Sequence, residues 1–123
     1  MPKPPAADPR DFLPLSTPVF HVLLSLADGP RHGYAIIVDV RERTSDEVRL
    51  TASTLYDALS RLVDQRLIEE ADAPPRDDET SARDDSRRRY YALTTLGREV
   101  AESEARRLER LLAMARSKKL LRR

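Results

Sequence analysis

The sequence predicts a mainly α-helical domain with one small β-hairpin and a long helix at its C-terminal end. Two kinds of pattern carry this prediction. Apolar residues mark four helical segments, and two short runs with alternating side chains lie between the third and the fourth. With 123 residues, 40% of them hydrophobic, the chain is expected to form one small domain. The core of such a domain is often supplemented by oligomerisation.

The N-terminal part is expected to be a flexible arm followed by a core helix. Residues 1–14 hold five of the nine prolines, which is typical of a mobile segment. Thr17 is the expected N-cap of the first helix, with Pro18 at the first helical position. Residues 19–27 are nearly all apolar, so this helix is expected in the core.

The second helix is expected to run from His32 or Gly33 to Thr44. Its apolar positions predict a buried face, which is expected to contain Tyr34, Ile37, Val38 and part of the surface of Ala35 and Val40.

The third helix, capped by Thr51 and ending near Gln65, has one apolar and one short polar face. Leucines 55, 59 and 62 lie on the apolar side. Short polar side chains let the backbone approach a groove closely and can hydrogen-bond to base edges or phosphates. The polar side consists of Ser53, Thr54, Asp57, Ser60, Arg61 and Asp64. An ordinary amphipathic surface helix would show the same pattern, so this helix alone leaves both interpretations open.

Residues 67–71 and 88–93 are expected to pair as a hairpin. The intervening residues 72–87 are rich in Pro, Asp, Glu, Ser and Arg, and this composition predicts a flexible tip. A basic run, Arg87-Arg88-Arg89, opens the second strand, where it could contact a DNA backbone or minor groove. The alternative is that it neutralises Asp84 and Asp85.

The last helix is expected to begin after its N-cap Thr94 and to continue to about Ser117. Gly97 is expected to allow close packing against the hairpin or the first helix. Small and apolar residues recur at spacings of four and three, which predicts a dimerisation helix over 96–118 and leaves 119–123 as a basic tail. This seam is formed by Ala101, Ala105, Leu108, Leu112 and Ala115. The alternative is that this face packs inside its own subunit.

Four ordered blocks resemble the PadR family of transcriptional regulators over about residues 15–115. They are Leu15-Ser16-Thr17-Pro18, Gly29-Pro30-Arg31-His32-Gly33-Tyr34, Thr54-Leu55-Tyr56-x-Ala58-Leu59 and Tyr91-x-Leu93-Thr94-x-x-Gly97. The resemblance implies a winged helix-turn-helix DNA-binding domain at 15–95 and dimerisation through the last helix. It also implies a homodimeric regulator, expected to be a repressor, that binds a two-fold-symmetric double-stranded DNA operator.

The residues expected to contact DNA come from the start of the second helix, the third helix and the hairpin. They are His32, Gly33, Tyr34, Thr51, Ser53, Thr54, Tyr56, Asp57, Ser60, Arg61, Arg87, Arg88 and Arg89. Tyr34 and Tyr56 are each expected at the border of a buried face, where the residue either presents its hydroxyl to DNA or only packs in the core. His32 is expected to cap the second helix or to contact phosphate.

The sequence also departs from the family pattern. Asp57 occupies a position where a basic residue or proline is usual, and Ser60 stands where Lys or Arg is common, so fewer phosphate contacts are expected. Arg66 stands where the family has glycine before the hairpin. Because the chain has no Trp, a small hydrophobic effector could not bind between stacked indoles and would need an aliphatic pocket at the dimer interface.

Composition excludes several other classes. Without cysteine, neither a disulfide nor a thiolate metal site can form, and the two histidines have no partner at metal-ligand spacing. No nucleophile motif or Gly-rich phosphate loop is present, so neither an enzyme nor a cofactor is expected. No apolar run is long enough for a membrane span, and a cytoplasmic protein is expected. The net charge of +1 does not itself indicate nucleic acid, so a winged-helix module that binds protein is the alternative.

Overall fold

The computed structural model describes residues 7–73 and 88–121. Within these residues the chain forms four helices and one three-stranded antiparallel sheet. The helices are α1 (Thr17–Leu26), α2 (Gly33–Arg43), α3 (Ala52–Asp64) and α4 (Thr95–Ser117), and the strands are β1 (Arg31–His32), β2 (Ile68–Ala71) and β3 (Tyr90–Leu93). This arrangement confirms the predicted fold class. No helix in the described ranges is both long and apolar enough to cross a bilayer.

The sheet has the order β1-β3-β2, so the second hairpin strand is central. Strands β2 and β3 pair antiparallel as the expected hairpin, with Ile68 opposite Leu93. The two-residue strand β1 was not expected, because it is too short to show any alternation. It pairs His32 with Tyr90 and thereby joins the start of α2 to the hairpin.

The core is formed where α1, α2 and α3 meet the sheet and the first half of α4. In α2 the buried positions are Gly33, Ile36 and Val40, which share one side of the helix at spacings of three and four. The expected burial of Tyr34 is wrong, since Tyr34 is 64% exposed, whereas Ile37 is half-buried against the core and Val38 is half-buried. The largest fully buried side chains include Leu23, Leu26, Ile36, Leu55, Leu59, Leu62, Leu67 and Ile68.

The N-terminal segment differs from the expected arm. Pro9–Phe12 form one turn of 3-10 helix, and Phe12 and Leu13 pack against the core because burial removes their apolar surface from water. The N-cap of α1 is Ser16 rather than Thr17, since the Ser16 hydroxyl accepts a hydrogen bond from the Val19 N–H at 3.3 Å. Residues 1–6 of the expected arm, 74–87 of the expected tip and 122–123 of the tail lie outside the described residues.

The end of α3 shows why the missing glycine does not change the turn. The Arg66 N–H donates to the Val63 carbonyl and the Leu67 N–H to the Leu62 carbonyl, both at 3.0 Å, which is a Schellman motif. Arg66 has a φ of 63°, the left-handed conformation that favours glycine. The geometry is therefore kept at an energetic cost.

The first turn of α4 is seated on the carbonyl of Leu67. The Thr94 N–H donates to this oxygen at 3.1 Å, and the Thr94 hydroxyl is shared between the same oxygen, at 3.1 Å, and the Arg66 carbonyl oxygen, at 2.7 Å. The Thr94 hydroxyl oxygen also accepts from the Gly97 N–H at 3.0 Å. A Cβ added at Gly97 would lie 1.8 Å from the Leu67 oxygen. The expectation that Gly97 permits close packing against the hairpin is confirmed.

Candidate nucleic-acid interface

The polar side of α3 is fully presented to solvent. Because Leu55, Leu59 and Leu62 are turned into the core, the side chains between them face outward. Ser53, Asp57, Ser60 and Arg61 are all exposed, as the helix pattern predicts. This side of α3 is called the polar face below. It is continuous over the length of the helix.

Thr51 and Thr54 have a local structural task at the start of α3. The Thr51 hydroxyl oxygen accepts the Thr54 N–H at 3.1 Å and thus caps the helix. The Thr51 hydroxyl also donates to the Thr54 hydroxyl oxygen at 3.0 Å. The cap confirms the expected role of Thr51, and it uses part of the hydrogen-bonding capacity that both residues could offer to DNA.

Beside the polar face lies a cleft of about 430 Å³. It is formed where the start of α2, the middle of α3 and the start of β3 meet. Tyr34 is 64% exposed and Tyr56 is 53% exposed, so both phenol rings border this cleft rather than the core. A Cβ at Gly33 would lie 2.8 Å from the Tyr56 hydroxyl oxygen, so the Tyr56 ring packs directly on the start of α2. The cleft is lined by His32, Gly33, Tyr34, Tyr56, Arg88, Arg89 and Tyr91.

His32 is a buried cap rather than an exposed contact residue. It is 6% exposed, and its Nδ1 accepts the Ala35 N–H at 3.1 Å, which confirms the expected capping. Its Nε2 lies 2.9 Å from Nη1 of Arg88, and its ring meets Tyr90 edge-on with centroids 5.3 Å apart. A neutral imidazole accepts a hydrogen bond at one nitrogen only. While Nδ1 accepts from Ala35, Nε2 of the neutral ring carries the hydrogen and has no lone pair to offer the Arg88 guanidinium.

The hairpin supplies the positive charge of the cleft. Arg88 and Arg89 are exposed, and Nη1 of Arg89 lies 3.6 Å from Oε1 of Glu70 on β2. Between side chains this exposed, such a pair contributes little to stability. Arg87, Asp84 and Asp85 lie outside the described residues, so the alternative in which these acids neutralise the arginines stays a prediction.

The predicted dimerisation seam is divided by the structure. Ala101 packs against the core of its own subunit, so for this residue the expectation of a free interface position is corrected. Ala105 is exposed and Leu108 is 39% exposed, whereas Leu112 and Ala115 are half-buried.

Beyond Leu108 the helix carries further exposed apolar side chains that the seam did not include. Leu111 is 47% exposed and Met114 is 60% exposed. The signal was present in the sequence, because Leu111 lies three residues after Leu108 and Met114 lies three residues after Leu111. The second half of α4 therefore presents a broader apolar surface than the five predicted residues.

Sequence reasoning missed Glu104, which is 1% exposed on the inner side of α4. Its Oε2 accepts the Leu15 N–H at 2.7 Å, and its Oε1 accepts Nε of Arg107. The hydrogen-bonded Arg107 guanidinium and the Leu15 N–H lower the pKa of the Glu104 carboxyl, although burial opposes them. The available signal was a glutamate between the apolar positions Val100 and Leu108, with an arginine three residues later.

Within residues 7–73 and 88–121, no group of three or more metal-ligating side chains is placed to hold an ion. His21 on α1 is half-buried, and burial, aided by the nearby Arg43, lowers its pKa. The described chemistry is therefore that of a polar helix face flanked by aromatic and basic groups.

Comparison with known proteins places this geometry in a family. A family model described as "Transcriptional regulator PadR-like family" matches residues 22–103. A 37.1 kDa protein of transposon TN4556 from Streptomyces fradiae is 37% identical over 90 residues, or 73% of this chain. The chain spans 22% of the length of that relative.

Two solved structures show the same fold. A PadR family transcription regulator from Clostridium difficile R20291 is 25% identical, with a TM-score of 0.65 over 80% of this chain and 94% of that one. Bacillus subtilis PadR, solved in complex with operator DNA, is 20% identical, with a TM-score of 0.57 over 73% of this chain and 47% of that one. At 20% identity, the likeness to Bacillus subtilis PadR shows a shared fold only.

Proposed function

The chain belongs to the PadR-like family of transcriptional regulators, and on this premise we propose that it binds a two-fold-symmetric DNA operator as a homodimeric repressor. Members of this family are regulators and not enzymes. The observation that carries the proposal is the polar face of α3, which is exposed over its whole length beside a basic and aromatic cleft. DNA binding would place the protein in the cytoplasm.

In the proposed complex the polar face enters the major groove. A groove about 12 Å wide accommodates a helix, and short side chains allow close approach. Ser53 and Arg61 supply a hydroxyl and a guanidinium at exposed positions on this face, and Asp57 can accept from a cytosine amino group. These residues would read base edges, whereas the flanking cleft would hold the backbone.

Arg88 and the two exposed tyrosines are proposed to contact phosphates on one side of the polar face. A phosphate that accepts from the Arg88 guanidinium would draw it from the His32 ring. The ring nitrogen that caps α2 would keep its bond to Ala35. Phosphate binding at this cleft is therefore compatible with the cap of α2.

Dimerisation is proposed through the second half of α4, where Leu108, Leu111 and Met114 leave apolar surface open to solvent. Burial of this surface against a second copy would be favourable at about 25 cal/mol per Å². An effector, if the regulator is released by one, would be a small hydrophobic molecule among these aliphatic side chains.

The test starts from genome-wide selection of the DNA sites that the protein binds. The affinity of the protein and its variants for the recovered operator is then measured. Ser53→Ala with Arg61→Ala should lower specific affinity by about 1–3 kcal/mol for each base-edge interaction that it removes, that is about 5- to 150-fold each. Folding should survive because both side chains are exposed. Arg110→Ala is the matched control, since Arg110 is an exposed arginine outside the cleft lining.

A wild-type protein that prefers no site over random duplex would contradict the proposal. That result would favour a winged-helix module that binds protein, which the exposed Asp57 on the polar face and Glu69 on β2 would suit. Phosphate binding is tested separately by Arg88→Gln with Arg89→Gln. The slope of log affinity against log salt should fall in magnitude by about 0.9 for each phosphate that is no longer neutralised. An unchanged slope would assign these arginines to other roles.

A further inference from the structure

Besides the apolar packing of Val100, three polar contacts attach the first half of α4 to the rest of the domain. The first is the seat of Thr94 and Gly97 on the Leu67 carbonyl described above. The second is a hydrogen bond of 3.0 Å from Nη2 of Arg98 to the Ala27 carbonyl at the end of α1. The third is the bond of 2.7 Å from the Leu15 N–H to Glu104. We call the Glu104 carboxylate with its two donors, the Leu15 N–H and the Arg107 guanidinium, the Glu104 latch.

The latch lies at the last buried position of α4. Val100 and Glu104 are buried, whereas residues 105–106 and 108–111 are exposed. The chain that reaches Leu15 first forms the 3-10 turn at Pro9–Phe12, whose end packs on the core through Phe12 and Leu13. The latch thus joins this N-terminal segment to the last buried turn of α4.

Stability alone does not explain a carboxylate at this place. A buried ion pair often contributes no more than apolar residues of similar volume would, because both charges must leave water. Hydrogen bonds differ from apolar contacts in that they fix direction as well as distance. The two carboxylate oxygens accept from two different donors, one on the backbone before α1 and one on α4 itself. This arrangement allows one rotation and one height of α4 against the domain.

We propose that Glu104 is a positioning residue whose latch sets the angle between the DNA-binding domain and the dimer-forming half of α4, and with it the spacing of the two α3 helices. The inference rests on the proposed dimer and operator. From Glu104 to Leu112 the helix rises about 12 Å, so a tilt of 10° would move Leu112 by about 2 Å. A two-fold axis applies the same tilt to both subunits, giving about 20° between them. One base pair of B-DNA corresponds to a helical rotation of about 35° and a rise of about 3.4 Å, so a tilt of this size is comparable in scale to a shift of one base pair.

The direct test measures the distance between the two α3 helices of the dimer in the absence of DNA. The chain has no cysteine, so Asp64→Cys at the exposed end of α3 places one spin label on each subunit. Double electron–electron resonance should give one narrow distance distribution in the otherwise unchanged dimer. Glu104→Leu with Arg107→Leu removes the latch without leaving a lone buried charge, and it should broaden or shift this distribution.

The matched control is Glu102→Ala with Arg106→Ala, which removes an exposed ion pair of 3.4 Å from the same helix. It should leave the distribution unchanged. If the leucine variant does not fold, Glu104→Gln carries the test, because the amide keeps an acceptor for the Leu15 N–H but loses the charge that holds Arg107. The glutamine variant should broaden the distribution to a smaller extent.

The second readout is operator spacing. A one-base-pair insertion between half-sites should weaken binding of the wild-type protein about tenfold, whereas the latch variant should lose most of this discrimination. A residue that only stabilised the fold would lower the melting temperature and leave both readouts unchanged, and that outcome overturns the inference. A monomeric wild type would overturn the proposed dimer and the inference together. A dimer with fixed spacing but no operator preference would overturn only the proposed DNA readout.

Discussion

Replacing Gly97 by alanine separates the intrinsic preference of a helix from the packing of this particular helix. The substitution adds one Cβ, which would lie 1.8 Å from the Leu67 carbonyl oxygen and 2.8 Å from its carbonyl carbon. Carbon–oxygen contacts are normally no closer than about 3.3 Å, so the first turn of α4 must move by about 1.5 Å. The obstacle is backbone, and no side-chain rotation relieves it.

Two opposing effects decide how much Gly97→Ala changes the free energy of unfolding. Alanine favours a helix interior by about 1 kcal/mol over glycine. Against this, the shift breaks the two hydrogen bonds of Thr94 to Leu67, at about 0.5–1.5 kcal/mol each. It also disturbs the fully buried Leu67, and overpacking of this kind costs about 1–3 kcal/mol. The expected result is a net loss of about 3 kcal/mol, or about 12 °C in melting temperature for a domain of this size.

The assay is urea and thermal denaturation at one fixed protein concentration, since dimerisation would make the melting temperature depend on concentration. Glu99 is an exposed position two residues further along α4. Comparing Glu99→Ala with Glu99→Gly gives the local helix preference without the packing effect. If Gly97→Ala is as stable as the wild type or more stable, the close approach of α4 to Leu67 is refuted.

Three further predictions concern the turn after α3, the apolar surface of α4 and the Glu104 latch. Arg66→Gly should raise stability by about 0.5–1 kcal/mol in urea denaturation, because glycine avoids the left-handed penalty that Arg66 bears. A loss of stability would contradict this. Lys119→Gly is the comparison variant, since Lys119 has the same left-handed conformation at the end of α4. Leu108→Lys should dissociate the proposed dimer in sedimentation, because a charge would enter the apolar surface; a variant that stays dimeric excludes this interface. The lowered pKa of Glu104 stabilises the fold above about pH 4.3, the ordinary glutamate pKa, and this contribution is lost as pH falls further. Glu104→Gln should therefore flatten the acid limb of the stability curve, and an equal slope in both proteins would contradict the assignment.

Those parts of the fold whose patterns are local could be predicted from the sequence. The capping of α3 by Thr51 and the burial of its three leucines depend on neighbours three and four residues away. The two hairpin strands likewise show their alternation within a few residues. The close approach at Gly97 was predicted because a glycine inside an otherwise regular helix implies a packing reason.

The parts that were missed depend on contacts between residues distant in the chain. The strand β1 exists because two residues pair with β3, and such a short segment carries no periodicity of its own. The phase error in α2 concerned Tyr34, because a 3.6-residue period read from few apolar positions leaves two neighbouring sides open. Glu104 lies 89 residues from its partner Leu15, so the sequence around it gives only the helical pair with Arg107.

Leu67 connects these observations, because it is shared by α3 and α4. Its N–H closes the end of α3 by donating to Leu62, and its carbonyl accepts both donors of Thr94 at the start of α4. Leu67 thus joins the end of α3 to the start of α4, and the Glu104 latch holds a later turn of α4 against the segment before α1. Arg66→Gly keeps the bonds of Leu67 and changes only the energy of the turn, whereas Gly97→Ala moves the first turn of α4 away from the Leu67 carbonyl. Gly97→Ala should therefore change both stability and operator discrimination, whereas Arg66→Gly should change stability and leave operator discrimination as it is.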